Sequence, residues 1–307
     1  MLLKATGTIC VILTGVVSIR ASSWLRLWGC IELITLFLVG ALHNRKASTT
    51  ESLLKYFLVQ TLGGILFLVY ASTPAPALLM FRWGVLLKLG VFPWNMWVLP
   101  ILRNQTWRGV WLISTLIKAP GLVAISQCHH PIISVCALTS AAQGAIAGVY
   151  FANMKKILAA SSIMHTSWLR LLCKNWGWVW YLVLYTSLLA VGVYLLNKTC
   201  VSHHKHTINL PPLQGLALFI VMCSLAGVPP FAGFTLKWYL ITDVGFAAGF
   251  VVVGLMVILR LGVYLYLAAG LRALMTAREK ESNSCRVLAV WRVIILNRVG
   301  GLLLITT

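Results

Sequence analysis

The stretch Leu86–Pro100, LLKLGVFPWNMWVLP, carries a lysine and a proline inside an otherwise apolar run of helical length. Pro93 has no backbone N–H to donate, and its ring clashes with the preceding turn, so a helix is predicted to break here. Lys88 puts an ammonium in the same run, which costs at least about 2.5–3.5 kcal/mol inside a hydrocarbon layer. A broken backbone at membrane depth requires surrounding protein or water. The stretch therefore predicts a functional site inside a membrane protein.

The composition of the whole chain is typical of a membrane protein. Its 307 residues are 60% hydrophobic and only 10% charged, with a mean hydropathy of +0.91. Many apolar runs approach the roughly 20 residues that a helix needs to cross a bilayer. They do not alternate between polar and apolar residues as barrel strands do. We predict an all-α membrane protein without a soluble domain.

Basic residues outnumber acidic ones by 25 to 5, which gives a net charge of +20. Nucleic-acid binding would favour clustered basic residues beside exposed aromatic ones. Here the basic residues lie mostly in short gaps between apolar runs, which is the pattern that orients membrane proteins. We therefore predict no nucleic-acid partner. The gaps on the side of the N-terminus hold most of the Lys and Arg, so this side is expected to face the compartment at negative potential.

The apolar runs predict eleven transmembrane helices, and no linker divides the chain into domains. The predicted helices are residues 3–19, 24–43, 52–72, 77–99, 108–127, 131–151, 157–173, 176–197, 213–241, 245–270 and 287–306. With eleven helices the C-terminus emerges on the face opposite the N-terminus.

A second interruption lies in Ser224–Trp238, SLAGVPPFAGFTLKW, where Pro229 and Pro230 break the ninth run. Each broken run is the fourth in a set of five, and because five is odd, the second set enters from the opposite face. Paired interrupted helices in inverted repeats are typical of transport sites. We predict one membrane domain, 1–307, with repeat one at about 3–127, repeat two at about 131–270 and a final helix at about 287–306.

Four ionisable residues lie inside the apolar runs: Glu32, Lys88, Lys118 and Lys237. Lys88 precedes its break, whereas Lys237 follows its own. Lys118 is followed by Pro120, which is expected to kink the helix. Burial disfavours the charged form of an amine and a nearby carboxylate favours it again, so opening and closing an ion pair would release and take up a proton. A buried pair that merely fixes helix register is the alternative, but four such groups, two of them beside breaks, favour a proton path.

The remaining polar residues in apolar runs are less specific. His165, in SSIMHTSW, either relays protons as a neutral imidazole or is a satisfied core residue, and the sequence leaves both open. The loop CVSHHKHT around Cys200 has only loose metal-ligand spacing and a lysine, so we predict no metal site. Three arginines are interpreted as contacts to an interface, to lipid headgroups or to a partner subunit; they are Arg260, Arg292 and Arg298.

Five stretches carry a resemblance to a known family. In chain order they are ESLLKYFLVQTLGG at 51–64, LLKLGVFPWNMWVLP at 86–100, LIKAP at 116–120, NMKKILAASSIMHTSW at 153–168 and SLAGVPPFAGFTLKW at 224–238. Together they resemble NADH dehydrogenase subunit 2, the antiporter-like membrane subunit of respiratory complex I in its mitochondrially encoded form. The resemblance runs from about Glu32 to Trp238. Asn95 differs, because the family has a histidine there.

The resemblance implies roles for single residues. Glu32 matches the family's membrane glutamate, and Lys88 matches the lysine that pairs with it. Lys118 matches the central relay lysine, Lys237 the distal lysine, and His165 a histidine between the two halves of the protein. The fold implied is two inverted five-helix repeats with broken fourth and ninth helices, plus a final helix.

The activity implied is proton translocation by an antiporter-like subunit of the respiratory NADH:ubiquinone oxidoreductase. The enzyme is the whole complex, and this chain is expected to hold no cofactor and no redox centre. NADH, FMN, the iron–sulfur clusters and ubiquinone are expected on other subunits. The expected partners are the other membrane-arm subunits and membrane lipids. The location implied is the mitochondrial inner membrane, with the N-terminus on the matrix side and the C-terminus on the intermembrane-space side.

Two other functions share parts of this pattern. A free-standing cation/proton antiporter would have the same broken helices, but it would bind its cation through oxygen ligands, and the chain has only 5 acidic residues. A purely structural membrane anchor would not need the buried lysines, so replacing Lys118 would leave its function intact.

Overall fold

The structure, a computed structural model, describes residues 2–21, 23–44, 46–72, 78–127, 131–151, 153–174, 177–198, 212–229, 231–244 and 249–275. Within these ranges every regular element is a helix. The α-helices are α1 Leu2–Ile19, α2 Trp24–Leu42, α3 Ala47–Ser72, α4 Leu78–Leu89, α5 Val98–Asn104, α6 Trp107–Ser114, α7 Lys118–Ser126, α8 Pro131–Tyr150, α9 Met154–Leu171, α10 Gly177–Lys198, α11 Pro212–Ala226, α12 Ala232–Val244 and α13 Gly249–Met275.

Six helical segments of the described residues are long and apolar enough to cross a membrane. They are Trp24–Leu42, Ala47–Tyr70, Trp107–Ser126, Ile132–Tyr150, Gly177–Asn197 and Val253–Arg272. Shorter apolar helices cover Ala5–Ile19 and Leu213–Ala226. The prediction of an all-α protein with several membrane helices is confirmed over these ranges. The predicted helix at 287–306, Arg292, Arg298 and the loop around Cys200 lie outside the described residues, and the count of eleven stays a prediction.

Large apolar side chains lie on the outside of the helices. On α1, Ile9, Leu13, Val16 and Val17 are 55–58% exposed. An outer face of this kind would be unfavourable in water and is favourable against lipid tails, because hydrocarbon does not have to be hydrated. Arg260 of α13 is also exposed.

The chain divides into two compact units, and the first comprises Met1–Gly144 and Leu158–Trp178. Small residues allow close helix packing inside it, as is typical of membrane proteins. A Cβ added to Gly7 of α1 would lie 2.9 Å from the Cβ of Ala41 in α2. A Cβ added to Gly84 of α4 would lie 2.9 Å from the carbonyl oxygen of Gly63 in α3. These glycines therefore bring α1 close to α2, which carries Glu32, and α3 close to α4, which carries Lys88.

The second compact unit comprises Ala145–Ile157 and Val179–Thr307. Its described helices pack in the same manner. A Cβ added to Gly270 of α13 would lie 2.8 Å from Cδ2 of Phe219 in α11. A Cβ added to Gly192 of α10 would lie 3.3 Å from Val221, also in α11. The second broken helix is thus supported by neighbouring helices of its own unit, while the two inverted repeats stay a prediction.

The fourth and ninth predicted helices are broken, as expected from their prolines. The fourth divides into α4, which ends at Leu89, and α5, which begins at Val98, and the peptide bond between Phe92 and Pro93 is cis. The ninth divides into α11 and α12, which begins at Ala232.

The fifth predicted helix, at 108–127, corresponds to the apolar span Trp107–Ser126, and the structure shows an interruption within it where the sequence predicted a kink. It consists of α6 and α7, with a turn at 115–117 between them. Pro120 has no N–H to bond to the carbonyl of Leu116, one helical turn earlier. The interruption therefore lies before Lys118 and not at the proline itself.

Candidate functional site

Helix α4 ends one residue after Lys88, and the sequence explains why. Gly90 adopts a φ of +65°, a left-handed conformation that costs a residue with a side chain about 1–2 kcal/mol. The N–H of Gly90 donates to the carbonyl of Leu87 at 3.2 Å, and the N–H of Val91 donates to that of Leu86 at 3.0 Å. This pair of bonds is the Schellman motif that closes helices at glycine. Lys88 is thereby fixed in the last turn of a helix that stops inside the protein.

The amine of Lys88 forms an ion pair with Glu32 of α2. Nζ lies 2.8 Å from Oε1 of the glutamate, and the side chains are 4% and 22% exposed. The carbonyl of Lys88 accepts a hydrogen bond from Nε2 of buried Gln60 at 3.2 Å. A buried pair of this kind is strongly destabilised when one partner is removed, because the other charge then stays unpaired. The amine and the carboxylate are therefore coupled groups.

Lys118 is buried at the interruption between α6 and α7, and its acceptors are neutral. Nζ donates to the carbonyl of Ser162 at 2.6 Å and to Oγ1 of Thr166 at 2.5 Å, both on α9. The Thr166 hydroxyl in turn donates to the same Ser162 carbonyl at 2.5 Å. No described carboxylate forms an ion pair with Lys118. The amine is thus held by a hydroxyl and a carbonyl, in contrast to Lys88.

Two small cavities lie beside these lysines. One lies between Lys88 and Lys118, with Thr166 in its wall, and has a volume of about 10 Å³. The other has a similar volume of about 10 Å³ and is lined by Lys88 and Gln60. Each has room for about one water molecule, and polar groups are available to bind it. Leu89 and Ile117 contribute apolar surface to both cavities.

In the second compact unit, Lys237 of α12 reaches back to the break that precedes it. Its Nζ donates to the carbonyl of Ala226, the last residue of α11. The lysine is 8% exposed, and its stem lies against Gly227, where a Cβ would be 2.6 Å from Cδ. Its amine is therefore bound to a carbonyl that the broken helix leaves without an N–H donor of its own.

Helix α11 ends in the same way as α4. Gly227 has a φ of +73°, its N–H donates to the carbonyl of Ser224 at 3.1 Å, and the N–H of Val228 donates to that of Cys223 at 3.2 Å. The next turn also agrees, because the N–H of Phe231 donates to Val228 at 2.9 Å, as that of Trp94 does to Val91 at 2.9 Å. Both glycines are followed by Val and, three positions later in the sequence, by Pro. The two breaks therefore share one backbone design.

Two further positions that the sequence analysis discussed are buried. His165 of α9 is 4% exposed. It lies three residues after Ser162, whose carbonyl accepts a hydrogen bond from Thr166. Its part in proton relay stays a prediction. Asn95, which stands where the resembling family has a histidine, donates from Nδ2 to Oε1 of Gln143 on α8 at 2.7 Å. A neutral amide pair thus links the break after α4 to α8.

The sequence predictions missed the residues that hold the lysines. Thr166 accepts from Lys118, and Gln60 donates to the carbonyl of Lys88. Both are polar residues inside apolar runs, which is a signal that could have found them. The bond from Lys237 to the carbonyl of Ala226 depends on the turn between α11 and α12 and has no sequence signal of its own.

A helical membrane fold with buried lysines beside helix breaks is typical of ion-translocating membrane proteins. Residues 69–263, more than half of the chain, match the family described as NADH:quinone oxidoreductase/Mrp antiporter, TM. The chain belongs to this family, and the resemblance found in the sequence is confirmed.

Individual relatives agree with this assignment. The chain is 26% identical to NADH-ubiquinone oxidoreductase chain 2 of Artemia franciscana over 91% of this chain and 93% of the relative. It is also 26% identical to chain 2 of Struthio camelus, over 91% of this chain and 88% of that one.

Two solved structures have a similar fold. A chain of respiratory complex I from Thermus thermophilus superposes with a TM-score of 0.83 at 22% identity, over 99% of this chain and 78% of that one. A chain of the Mrp complex from Dietzia sp. DQ12-45-1b has a TM-score of 0.70 at 15% identity, over 92% of this chain and 66% of that one. At these identities the likeness concerns the fold alone.

Proposed function

We propose that this chain is the antiporter-like, proton-translocating membrane subunit of a respiratory NADH:ubiquinone oxidoreductase. The observation that carries the proposal is the Glu32–Lys88 ion pair at the end of a broken helix, with Lys118 across a one-water cavity. Ionisable residues at membrane depth are costly and are typical of proton paths. Two relatives that align over nine-tenths of the chain are named as chain 2 of this oxidoreductase, which supports the complex in question.

The surroundings of the amines suggest how a proton moves. The carboxylate of Glu32 stabilises the ammonium of Lys88 while the two are 2.8 Å apart. When the pair opens, a buried charge loses its partner, and release of the proton removes that cost. Water in the adjoining cavity carries the proton towards Lys118, whose hydroxyl and carbonyl acceptors hold the ammonium that forms. In the second unit, Lys237 offers a further relay amine at the end of α11.

The proposal extends to the topology and the surroundings of the chain. We infer eleven spans in two inverted repeats and a final helix, with the repeated glycine-centred break as support. The partners are the other membrane subunits of the complex and the lipids of the mitochondrial inner membrane, with the N-terminus on the matrix side. NADH, FMN, the iron–sulfur clusters and ubiquinone act on other subunits, so this chain contributes proton transfer and no redox step.

Replacing Lys118 tests the proposal against a purely structural role. Lys118→Met keeps the volume of the side chain and removes the amine. We expect the rate of NADH-driven proton pumping per assembled complex to fall at least about tenfold, since a positioned proton-transfer group contributes about 100-fold or more to the rate. The control is Lys55→Met, which makes the same change at an exposed lysine whose amine lies 2.5 Å from the carboxylate of Glu51. Normal pumping by the Lys118 variant would support a membrane anchor instead.

The likeness to a chain of an Mrp complex favours one other candidate, a free-standing cation/proton antiporter. This chain would then exchange a cation for protons after purification and reconstitution alone in vesicles. We expect no such exchange, and co-purification with subunits that oxidise NADH. Exchange by the isolated chain would support the second candidate.

A further inference from the structure

Helix α3 lies against the Glu32–Lys88 ion pair at two consecutive glycines. A Cβ added to Gly64 would overlap Oε1 of Glu32 and would lie 3.1 Å from Nζ of Lys88. A Cβ added to Gly63 would lie 2.7 Å from Cγ of Lys88. The ion pair therefore occupies the space that side chains at these two positions of α3 would fill.

Two hydrogen bonds hold α3 in register at this point. Nε1 of Trp28, one turn before Glu32 on α2, donates to the carbonyl of Gly64 at 3.1 Å. Nε2 of Gln60, one turn before Gly64 on α3, donates to the carbonyl of Lys88 at 3.2 Å. Residues four apart lie on the same face of a helix, so Gln60 and Gly64 present one surface to the pair. The position of Gly64 relative to the acid and the amine is thus fixed from both sides.

The two glycines differ in what an added methyl group would displace. At Gly63 the neighbours include the carbonyl oxygen of Gly84 at 3.1 Å, so a methyl group would separate the backbones of α3 and α4. At Gly64 the nearest atoms are the ends of the Glu32 and Lys88 side chains, which can rotate away. Alanine also has a higher helix propensity than glycine. A methyl group at position 64 is therefore compatible with the helix but not with the ion pair as it stands.

We propose that Gly64 is a positioning residue for proton transfer. Because it has no side chain, it leaves the space in which the side chains of Glu32 and Lys88 meet. The residue touches no proton itself and acts through the geometry of the pair. This inference rests on the proposed function, because it assigns Gly64 a part in the same proton path. It differs from a packing role, which would affect assembly and not the coupling between the two charges.

A double-mutant cycle tests the inference in membranes that contain the full assembled complex. Gly64→Ala and Glu32→Gln are made singly and together, and the rate of NADH-driven proton pumping and the amount of assembled complex are measured. We expect Gly64→Ala to lower pumping about tenfold at normal assembly, since a misplacement of about 1 Å can cost up to about 100-fold. In the Glu32→Gln background it should cause no further loss, because residues that act through one interaction are not additive.

The matched control is Gly29→Ala on α2, where an added Cβ meets no atom within 4 Å. It makes the same chemical change in a helix and should leave pumping and assembly unchanged. If Gly64→Ala prevents assembly, Gly64→Ala with Glu32→Asp decides, because the shorter acid withdraws from the added methyl group. Recovery of assembly would support the proposal that Gly64 leaves space for the ion pair, and no recovery would contradict it.

The outcomes separate this inference from the proposed function. If Glu32→Gln lowers pumping but Gly64→Ala does not, or if their losses add in full, the inference is wrong and the proposed function stands. If Glu32→Gln leaves pumping unchanged, both are wrong.

Discussion

The helix ends at Gly90 and Gly227 have the same backbone hydrogen bonds but hold their lysines differently. At the first, Lys88 belongs to the helix that ends, and its amine pairs with an acid on another helix. At the second, Lys237 belongs to the helix that follows, and its amine binds the carbonyl of Ala226 at the break itself. The repeated design therefore provides a stable end for a helix inside the membrane and does not prescribe the lysine's partner.

This difference has a consequence for how each amine responds to movement. The partner of Lys88 is a charge on α2, so a shift of α2 relative to α4 changes the energy of the ammonium directly. The partner of Lys237 lies within the same broken helix, so its energy depends on the local turn. We infer that the first break responds to helix motion, whereas the second responds to the conformation of its own loop.

Alanine at the two glycines should have the largest effect. Both have positive φ values, so Gly90→Ala and Gly227→Ala each introduce about 1–2 kcal/mol of backbone strain and further overpacking. The added Cβ would lie 2.5 Å from Cγ2 of Val98 in the first case and 2.6 Å from Cδ of Lys237 in the second. We expect both to reduce the amount of assembled chain, and Gly227→Ala to lower pumping per assembled complex further. Equal pumping per complex would show that the contact with Lys237 is unimportant.

Loss of the Thr166 hydroxyl, which binds Lys118 at the interruption between α6 and α7, should have the next largest effect. Thr166→Val preserves the shape of the side chain and removes one of the two acceptors of the Lys118 amine. A hydrogen bond to a charged group contributes about 1.5–3 kcal/mol, so proton pumping should fall several-fold or more. Thr166→Ser keeps the hydroxyl and should retain most of the proton pumping. If valine and serine behave alike, Lys118 does not depend on this bond.

Gln60 offers a smaller perturbation that is specific to the first break. Gln60→Leu removes the donor to the carbonyl of Lys88 and costs about 1–3 kcal/mol if the carbonyl stays unsatisfied. The thermal stability of the purified complex should fall, while the ion pair of Lys88 is retained. Gln127→Leu, at the exposed residue that follows α7, serves as a control and should have little effect. If Gln127→Leu lowered the thermal stability as much as Gln60→Leu, the loss could not be assigned to the hydrogen bond from Gln60 to the carbonyl of Lys88.

The amide pair between Asn95 and Gln143 should matter least. Asn95→Ala removes one neutral hydrogen bond and should lower stability by about 1 kcal/mol, measured by thermal unfolding. Pumping should be nearly normal, because neither amide titrates. A loss of pumping comparable to that of Thr166→Val would place this pair in the proton path.

The sequence predicted both breaks from their prolines, because proline acts on the backbone locally, but the helices close three residues before Pro93 and Pro230, at Gly90 and Gly227. It also pointed to Glu32 and Lys88, since a charge in an apolar run is costly wherever the run folds. It did not predict that Thr166 and Ser162 would hold Lys118, because that contact joins residues more than 40 positions apart. The turn at 115–117 was missed for a local reason, because the effect of Pro120 lies one helical turn before it.

One measurement tests most directly whether the Glu32–Lys88 ion pair takes part in proton transfer. It is the ratio of the NADH-driven proton-pumping rate to the amount of assembled complex in membranes carrying Glu32→Gln. The amide can still accept the hydrogen bond at 2.8 Å but lacks the charge, so we predict normal assembly with a clearly lower ratio. An unchanged ratio at normal assembly would contradict the account.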